Sequence, residues 1–342
     1  MVAILPTDPR GGSRPMPEAT STAMLEVTGF DPQRFDRNAR YAFELVLDGA
    51  ARDVRLPVQL LRGAGSGPCL VITAGVHGDE YEGVRAVLDV CADLDPREMQ
   101  GDLLAVTVCN PPAFWAGTRC GPDGVNLARA FPGHLNGTAT EVIAHHLGRT
   151  VIAAADFLLD LHSAGVSLLM PTMVGYDEGD RRSSEAALRF GAPVLWAHQH
   201  VEPGRTISMA AELRIPWLYT EARGGGRIDD RDLEVFRRGT VRLLRHLAIL
   251  PGEAPLTRAE HHLSGDGNGD AALRATTRGF LVPHVRLLEY VVAGQPLATV
   301  LDLHGRALES VRAPASGVVA LIRAHPVVSA GDPLFLVADL KT

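Results

Sequence analysis

The segment Cys69-Leu-Val-Ile-Thr-Ala-Gly-Val-His-Gly-Asp-Glu-Tyr-Glu-Gly83 decides the fold, because an apolar strand candidate runs directly into a helix candidate. Its first six residues form a short, continuous apolar run, and apolar residues at helical spacing follow from residue 82. The same order of strand and helix repeats from about residue 40 to residue 250. Such alternation predicts an α/β domain whose largely parallel sheet lies between helices.

Seven strand candidates and five helix candidates support this interpretation. In a parallel sheet, ligands bind beyond the carboxyl ends of the strands, so functional residues are sought at those ends. The strand candidates are residues 54–61, 69–74, 103–109, 157–161, 168–174, 194–197 and 217–220. The helix candidates are residues 82–94, 140–155, 180–190, 208–214 and 232–250.

The character of the sequence changes after residue 250. Residues 251–278 are rich in Pro, Gly, Asp, Asn and His and predict a linker in which His261 and His262 are solvated. Residues 279–342 hold short alternating segments with glycine turns, which predict a small all-β domain. We therefore predict a flexible tail over residues 1–23, a catalytic α/β domain over residues 24–250, and the linker and β-rich domain after it.

The β-rich segment resembles biotinyl- and lipoyl-type barrel modules in the phrase Ala313-Pro-Ala-Ser-Gly-Val-Val319. Those modules carry their cofactor on a lysine at a hairpin tip. Lys341 is the only lysine, and the other 32 of the 33 Lys+Arg residues are arginine. The module therefore carries no swinging arm, and mechanisms that need a positioned lysine, such as a P-loop or a Schiff base, are excluded. Because Lys341 stands next to the C-terminus, we expect it in a loose end.

The overall charge and the hydrophobic pattern narrow the range of partners. The formal net charge is −7, and no basic stripe suggests binding to nucleic acid. No apolar run reaches the roughly 18 residues of a membrane span, and the N-terminus lacks a secretory signal pattern. We predict a cytoplasmic protein that acts on a small molecule, with homo-oligomerisation left open.

His77 and Glu80 form an H-x-x-E motif after the strand candidate 69–74. Residues three apart on a first helical turn point to one face, and a His₂Glu set with water is an established catalytic zinc site. Flanking glycines allow a sharp turn and leave room for substrate. A chance motif in which Glu80 only favours the positive end of a helix is the alternative.

His162 is the candidate for the third ligand, because it ends the strand candidate 157–161. Asp160 lies two residues earlier on the same strand face and is predicted to support that histidine. The alternative is that His162 has only a structural role, with its hydrogen bonds satisfied at the end of a strand. Three such residues at the ends of two strands together favour one metal ion.

Two further loops at strand ends carry residues suited to amide chemistry. Arg119 and Arg129 follow the strand candidate 103–109, and arginine forks bind carboxylates and oxyanions. Glu221 follows the strand candidate 217–220 and is suited to act as a general base. The alternative for Arg119 and Arg129 is that they are ordinary surface arginines. The alternative for Glu221 is that it belongs to a plain glycine-rich turn.

In this order, the motifs resemble the succinylglutamate desuccinylase/aspartoacylase family, amidohydrolases related to zinc carboxypeptidases. The ordered motifs are G-x-H-G-D-E, N-P, N-L-x-R-x-F-P-G, D-L-H-S and T-E, and they fall within residues 40–250. The resemblance implies a zinc-carboxypeptidase-like sheet, and the β-rich segment after residue 270 also resembles that family.

The resemblance implies a role for each candidate residue. Where the family has Asn before the carboxylate-binding arginine, this chain has Ala128, which removes one hydrogen-bond donor. By this resemblance, one Zn²⁺ ion is bound by His77, Glu80 and His162. Glu221 is the general base and acid, and Arg119 contacts the scissile carbonyl. The substrate-binding residues are Arg129 and Asn126.

These roles predict a zinc-dependent deacylase. It would hydrolyse the amide of a small N-acyl amino acid, of N-acetyl or N-succinyl type, to a carboxylate and a free amine, with water activated by zinc and by Glu221. A metallocarboxypeptidase acting on short peptides is the first alternative. A non-catalytic relative that only binds metal is the second.

Overall fold

A computed structural model describes residues 23–265, 267 and 269–341. The predicted tail therefore lies, except for residue 23, outside the described residues. None of the helices in this described part is long and apolar enough to cross a membrane. The α-helices are α1 (Glu82–Asp93), α2 (Pro111–Ala116), α3 (Ala139–His146), α4 (Arg181–Phe190), α5 (Thr206–Glu212) and α6 (Asp230–His246).

The strands fall into a group before α6 and a group after it. The first group is β1 (Ala23–Glu26), β2 (Ala39–Val46), β3 (Arg55–Arg62), β4 (Gly65–Ala74), β5 (Gln100–Val106), β6 (Phe157–Ser163), β7 (Leu168–Leu169), β8 (Met173–Asp177), β9 (Val194–His198) and β10 (Trp217–Ala222). The second group is β11 (His261–Ser264), β12 (Leu273–Arg274), β13 (Gly279–Pro283), β14 (Tyr290–Val291), β15 (Pro296–Leu301), β16 (Ala307–Arg312), β17 (Gly317–Arg323), β18 (Val327–Val328) and β19 (Pro333–Leu340).

The strands build one long mixed sheet and one small sheet. The long sheet has the order β1-β2-β3-β5-β4-β6-β10-β8-β9-β11-β19-β17-β14. Its central strands β5, β4, β6 and β10 are parallel, whereas β8 joins β10 in antiparallel orientation. The small antiparallel sheet has the order β16-β15-β13-β18. The predicted mixed α/β sheet with helices, and the small all-β part, are confirmed; the domain boundaries and the lipoyl-like assignment stay predictions.

Alternation along the central strands divides the core between the two sheet faces. In β4, Leu70 and Ile72 pack with the apolar sides of α1, α4 and α6, whereas Val71 packs with α3 and α5. Both faces are buried, which explains why the central strands read as continuous apolar runs. The carboxyl ends of β4, β6 and β10 consequently lie at one edge of a rigid, covered sheet.

Several elements differ from the sequence-based prediction. Residues 168–174 form two strands, because β7 pairs with β17 whereas β8 pairs with β10. The predicted helix 140–155 ends as α3 at His146 and continues as a π-helical turn, Leu147–Val151, and a 3₁₀ turn. Residues 111–116 form a helix rather than a loop, since the Asn110 side chain caps it.

The C-terminal end differs as well. His261 and His262 lie on β11, which pairs with β9 and β19, and not in a solvated linker. Lys341 does not lie in a loose end: its Nζ lies 2.6 Å from Glu178 Oε1 and 3.2 Å from the Tyr176 hydroxyl. These contacts tie the end of β19 to the end of β8.

Candidate active site

The candidate site lies where the central parallel strands end. His77 and Glu80 follow β4, His162 belongs to the last residues of β6, and Glu221 belongs to the last residues of β10. The H-x-x-E motif lies in the connection before α1, which begins at Glu82, and not on a first helical turn as predicted. The loop after β4, rather than helical periodicity, brings the two side chains together.

The glycines around this motif accommodate neighbouring chain segments. A Cβ atom on Gly78 would lie 2.0 Å from the carbonyl carbon of Ala113, and one on Gly83 would lie 2.7 Å from the Leu161 Cβ. Gly75 has φ +59°, a conformation that favours glycine. Gly78 permits close packing of α2 on the loop, and Gly83 permits close packing of β6 on α1, so the prediction that these glycines leave room for substrate is wrong.

Three buried side chains converge on one point. Glu80 Oε1 lies 2.7 Å from His77 Nδ1, and Glu80 Oε2 lies 2.8 Å from His162 Nδ1. The backbone N–H of Ser163 also donates to Glu80 Oε2 at 3.1 Å. One ligand atom from each of the three residues lies within 4.8 Å of the others, a spacing that suits one metal ion.

The far ring nitrogens of both histidines have acceptors that fix the rings. His77 Nε2 lies 3.0 Å from Asn126 Oδ1, and His162 Nε2 lies 2.8 Å from Asp160 Oδ2. Asn126 Oδ1 also accepts the N–H of Ala128 at 2.9 Å, which identifies this atom as the oxygen. Each Nε2 therefore donates, and each Nδ1 can present its lone pair to a cation.

This arrangement fits a divalent ion such as zinc. Two imidazole nitrogens and one carboxylate are a known catalytic zinc donor set, and second partners that hold such histidines are its usual support. Asn126 does not line the cavity in front of the site. It acts on the His77 ring, which differs from the substrate contact that the sequence suggested.

Asp160 is buried and held from three sides. It accepts hydrogen bonds from Thr73 Oγ1 at 2.6 Å and from the Thr206 hydroxyl, in addition to His162. Burial alone would raise the pKa of Asp160, but His162 and the hydrogen bonds from Thr206 and Thr73 together outweigh it, and the pKa is lowered. The sequence-based prediction that Asp160 supports His162 agrees with this contact.

The pKa values of the three converging residues move in different directions. Burial lowers the pKa of His77. Burial also opposes the charged form of His162, but the Asp160 and Glu80 carboxylates outweigh it and raise the pKa of His162 well above the usual value. The pKa of Glu80 is held well below its usual range, because the two histidines outweigh its burial.

Glu221 stands beside this cluster. It is the register partner of His162 across β10 and β6. Its Oε2 atom is buried and, within the described part of the chain, has no hydrogen-bond partner. Burial first, and then the nearby Glu80 carboxylate, raise the pKa of Glu221 to about 8. A carboxyl group that can hold a proton near neutral pH is suited to general acid–base catalysis.

The two predicted arginines both lie on the cavity wall. Arg119 donates through Nη1 to Glu80 Oε1 at 3.2 Å, and 48% of its side chain is exposed. Arg129 donates through Nε and Nη2 to Asp270 Oδ2, at 3.0 and 2.7 Å. Arg119 therefore reaches the converging residues, whereas Arg129 is engaged by an aspartate 141 residues later in the chain.

The site opens into a cavity of about 420 Å³. Part of its wall comes from residues after α6, which the sequence did not place at the site. The sequence around Asp270 did not indicate a role in the site, because Asp266-Gly-Asn-Gly-Asp270 matches only the start of a calcium-binding loop. Asp266 and Asn268 of this segment lie outside the described residues. The late-chain residues that line the cavity include Gly267, Gly269, Asp270, Arg274, Leu321, Arg323 and Pro333.

Comparison of the sequence with known proteins gives consistent matches. A sequence model of the succinylglutamate desuccinylase/aspartoacylase catalytic domain matches residues 66–247. An N-alpha-acetyl-L-2,4-diaminobutyric acid deacetylase from Halomonas elongata is 32% identical over 296 residues, which cover 84% of this chain and 86% of that protein.

Solved structures agree with the sequence matches. The product-bound ectoine utilization protein EutE (DoeB) from Ruegeria pomeroyi superposes with a TM-score of 0.79 at 29% identity, covering 89% of this chain and 96% of the other. A succinylglutamate desuccinylase from a Silicibacter species gives a TM-score of 0.79 at 28% identity, covering 88% of this chain and 94% of the other. A succinylglutamate desuccinylase/aspartoacylase from Rhodobacter sphaeroides gives a TM-score of 0.80 at 26% identity, covering 92% of this chain and 98% of the other.

Proposed function

Because this chain belongs to the succinylglutamate desuccinylase/aspartoacylase family, we propose that it hydrolyses the amide bond of a small N-acyl amino acid. The products are a carboxylate and a free amine. The relative from Halomonas elongata is named for the removal of an N-acetyl group from an amino acid, which supports an acetyl group here. The observation that carries the proposal is the buried Glu221 carboxyl beside the His77–Glu80–His162 cluster, because its Oε2 atom has no hydrogen-bond partner among the described residues.

We propose that His77, Glu80 and His162 bind one Zn²⁺ ion. When bound, such an ion would supply a Lewis acid that lowers the pKa of a water molecule from 15.7 towards about 7 and polarises the amide carbonyl. Asn126 and Asp160 hold the two imidazole rings through their Nε2 atoms, which leaves the Nδ1 atoms to bind the ion when it is present. The buried surroundings of the three ligands strengthen these electrostatic interactions.

Glu221 carries the proton through the reaction. Its carboxylate accepts a proton as water attacks the amide carbon, and the resulting acid donates that proton to the leaving nitrogen. A pKa raised towards neutrality suits both steps, since one group must gain and lose the same proton. Arg119 reaches Glu80 and lines the cavity, so its guanidinium is placed to stabilise the oxyanion of the tetrahedral intermediate.

The cavity favours a small substrate over a peptide. Its volume of about 420 Å³ is in the range of small-molecule sites, and Leu321, Arg323 and Pro333 form part of its wall. A carboxypeptidase that acts on peptide substrates needs an open cleft to hold the peptide chain. This wall therefore supports an N-acyl amino acid over the carboxypeptidase alternative.

A substrate panel tests the proposal. Amine release is measured for N-acetyl, N-succinyl and N-formyl amino acids, with dipeptides and tripeptides as the competing class. We expect one N-acyl amino acid series to exceed every peptide by roughly a hundredfold or more in kcat/KM. Faster cleavage of peptides would favour a carboxypeptidase, and no hydrolysis by the metal-loaded protein would favour a non-catalytic relative.

A further inference from the structure

The carboxylate of Asp160 links His162 to two threonines. Its Oδ2 atom accepts the Nε2–H of His162 at 2.8 Å and also the hydroxyl of Thr206. Its Oδ1 atom accepts the hydroxyl of Thr73 at 2.6 Å. Asp160 and both threonines are at most 2% exposed. A carboxylate buried in this way depends on donors of the protein, because water does not reach it.

Donors on both oxygens are needed to fix the plane of this carboxylate. The terminal torsion of an aspartate side chain is broad, so hydrogen bonds set the direction of its two oxygens. Thr73 holds Oδ1, and Thr206 holds Oδ2, the oxygen that His162 contacts. Without the Thr206 hydroxyl, the carboxylate and the His162 ring can turn together about the remaining contact with Thr73.

The two threonines reach Asp160 from different elements. Thr73 lies directly opposite Asp160 on β4, so the sheet register sets that contact. Thr206 is the first residue of α5, a helix that packs against β6 and β10. Thr206 also lines the cavity, whereas Thr73 does not. The hydroxyl of Thr206 therefore connects the cavity wall with the support of His162.

The start of α5 is itself anchored. The Ser208 hydroxyl accepts the N–H of Arg205 at 2.9 Å and donates to the Arg205 carbonyl at 2.8 Å. Gly204 has φ +94°, and a Cβ atom there would lie 2.7 Å from the Arg129 carbonyl oxygen. Gly204 thus packs on the loop that carries Arg129. Because Thr206 follows two residues later, its position depends on the wall of the cavity.

We propose that Thr206 is a positioning residue for the metal site: its hydroxyl fixes the Asp160 carboxylate, which in turn fixes the His162 ring. This inference rests on the proposed zinc site and deepens it, because it gives the cavity-lining start of α5 a share in metal affinity. In the absence of the hydroxyl, His162 Nδ1 points towards Glu80 in a smaller fraction of molecules. A direct contact between Thr206 and the substrate is the competing role.

Zinc alone is the probe for this role, with no substrate present. Competition with a fluorescent chelator measures the affinity of the metal-free protein for Zn²⁺. Thr206→Val removes the hydroxyl at nearly constant shape, and we expect the affinity to fall by about tenfold, as for loss of other supporting partners. Thr206→Ser keeps the hydroxyl and should stay within about threefold of the wild type. Unchanged affinity in Thr206→Val, or an equal loss in both variants, would overturn the proposal.

Thr240→Val is the matched control. Thr240 is buried, its hydroxyl donates to the Phe236 carbonyl at 2.8 Å within α6, and it does not line the cavity. This variant should keep the wild-type zinc affinity, and the same loss as in Thr206→Val would overturn the proposal. Thermal unfolding of the metal-free proteins checks the fold. Thr206→Ala, which also lacks the hydroxyl, replaces Thr206→Val if the valine variant does not fold.

A double-mutant cycle shows whether Thr206 acts through Asp160. Asp160→Ala removes the acceptor, so adding Thr206→Val to it should change the zinc affinity by less than about twofold. A further loss of about tenfold in the double variant would overturn the route through Asp160.

Kinetics at saturating zinc separate positioning from substrate contact. For the best N-acyl amino acid, we expect the KM of Thr206→Val to stay within about twofold of the wild type. A raised KM together with unchanged zinc affinity would show a substrate contact and overturn the proposal. If no substrate is hydrolysed, the deacylase proposal fails, while the zinc affinities still decide the role of Thr206.

Discussion

Glu221 and His162 lie directly opposite each other on the neighbouring parallel strands β10 and β6. The ladder of hydrogen bonds between these strands, rather than a loop, sets the position of the carboxyl group relative to the imidazole. His162 in turn contacts Glu80 Oε2 at 2.8 Å. The sheet register thus places a candidate proton carrier beside a candidate metal ligand, which is the preorganisation that catalysis requires.

Removal of one converging residue should abolish metal binding. His162→Ala leaves two protein donors where a catalytic zinc site uses three. We expect bound zinc to fall from about one ion per chain to below about a tenth of that, as measured by elemental analysis of dialysed protein. His304→Ala removes an exposed histidine from the turn between β15 and β16 and should keep the full metal content. Full metal content in His162→Ala would contradict the assigned ligand set.

The contact between Asn126 and His77 predicts an effect on metal affinity. Asn126→Ala removes the acceptor of the His77 Nε2 proton, and loss of such a partner weakens metal binding by about 10–100-fold. Asn126→Asp keeps an acceptor and should bind zinc nearly as the wild type does. Competition with a fluorescent chelator measures both affinities. An unchanged affinity in Asn126→Ala together with a raised KM would instead favour the substrate contact suggested by the sequence.

Metal binding should depend on pH through His162. The raised pKa of His162 keeps its ring protonated in the metal-free protein at neutral pH, whereas a metal ligand must be neutral. The apparent zinc affinity should therefore rise with pH until the pKa of His162 is passed, and each ion should release about one proton at pH 7. Calorimetry in two buffers of different ionisation enthalpy counts that proton. A constant affinity between pH 6 and pH 8 without proton release would contradict the assignment.

Close packing between α1 and β6 makes Gly83 sensitive to substitution. In Gly83→Ala the new Cβ would lie 2.7 Å from the Leu161 Cβ and 3.0 Å from the Leu161 carbonyl oxygen. We expect the free energy of unfolding to fall by about 1–3 kcal/mol, as for other overpacked positions. Gly29→Ala, with nothing within 4 Å of its Cβ, should change it by less than about 0.5 kcal/mol. Urea denaturation measures both, and equal stability of the two variants would contradict the packing argument.

The sequence predicts the central sheet well, because both faces of its strands are buried. Residues 157–161 and 217–220 are mostly apolar, and the strands β6 and β10 begin where these segments begin. The half-exposed strand β2 and the paired strand β11 escaped prediction, since their residues alternate or are polar. Their pairing depends on tertiary contacts that local pattern does not encode.

In the site, too, some features follow from the local sequence and others depend on tertiary contacts. His77, Glu80, His162 and Glu221 lie at or just after strand ends, and the carboxyl ends of parallel strands share one edge of the sheet, so their convergence follows from the sequence pattern. The contact between Arg129 and Asp270 joins residues 141 positions apart, and no local spacing announces it. The role of Asn126 depends likewise on a loop conformation, because its side chain reaches His77 only after the chain has folded around the site.

The central claim is that Glu221 moves the proton in metal-dependent amide hydrolysis, and the Glu221→Gln variant tests it most directly. Bound zinc and the rate of amine release from the best N-acyl amino acid are measured on the same preparation, with Glu98→Gln as a surface control. We predict full zinc content in both variants and a kcat that falls by about 10²–10⁴-fold in Glu221→Gln only. A Glu221→Gln protein that holds zinc and turns over near the wild-type rate would contradict the account.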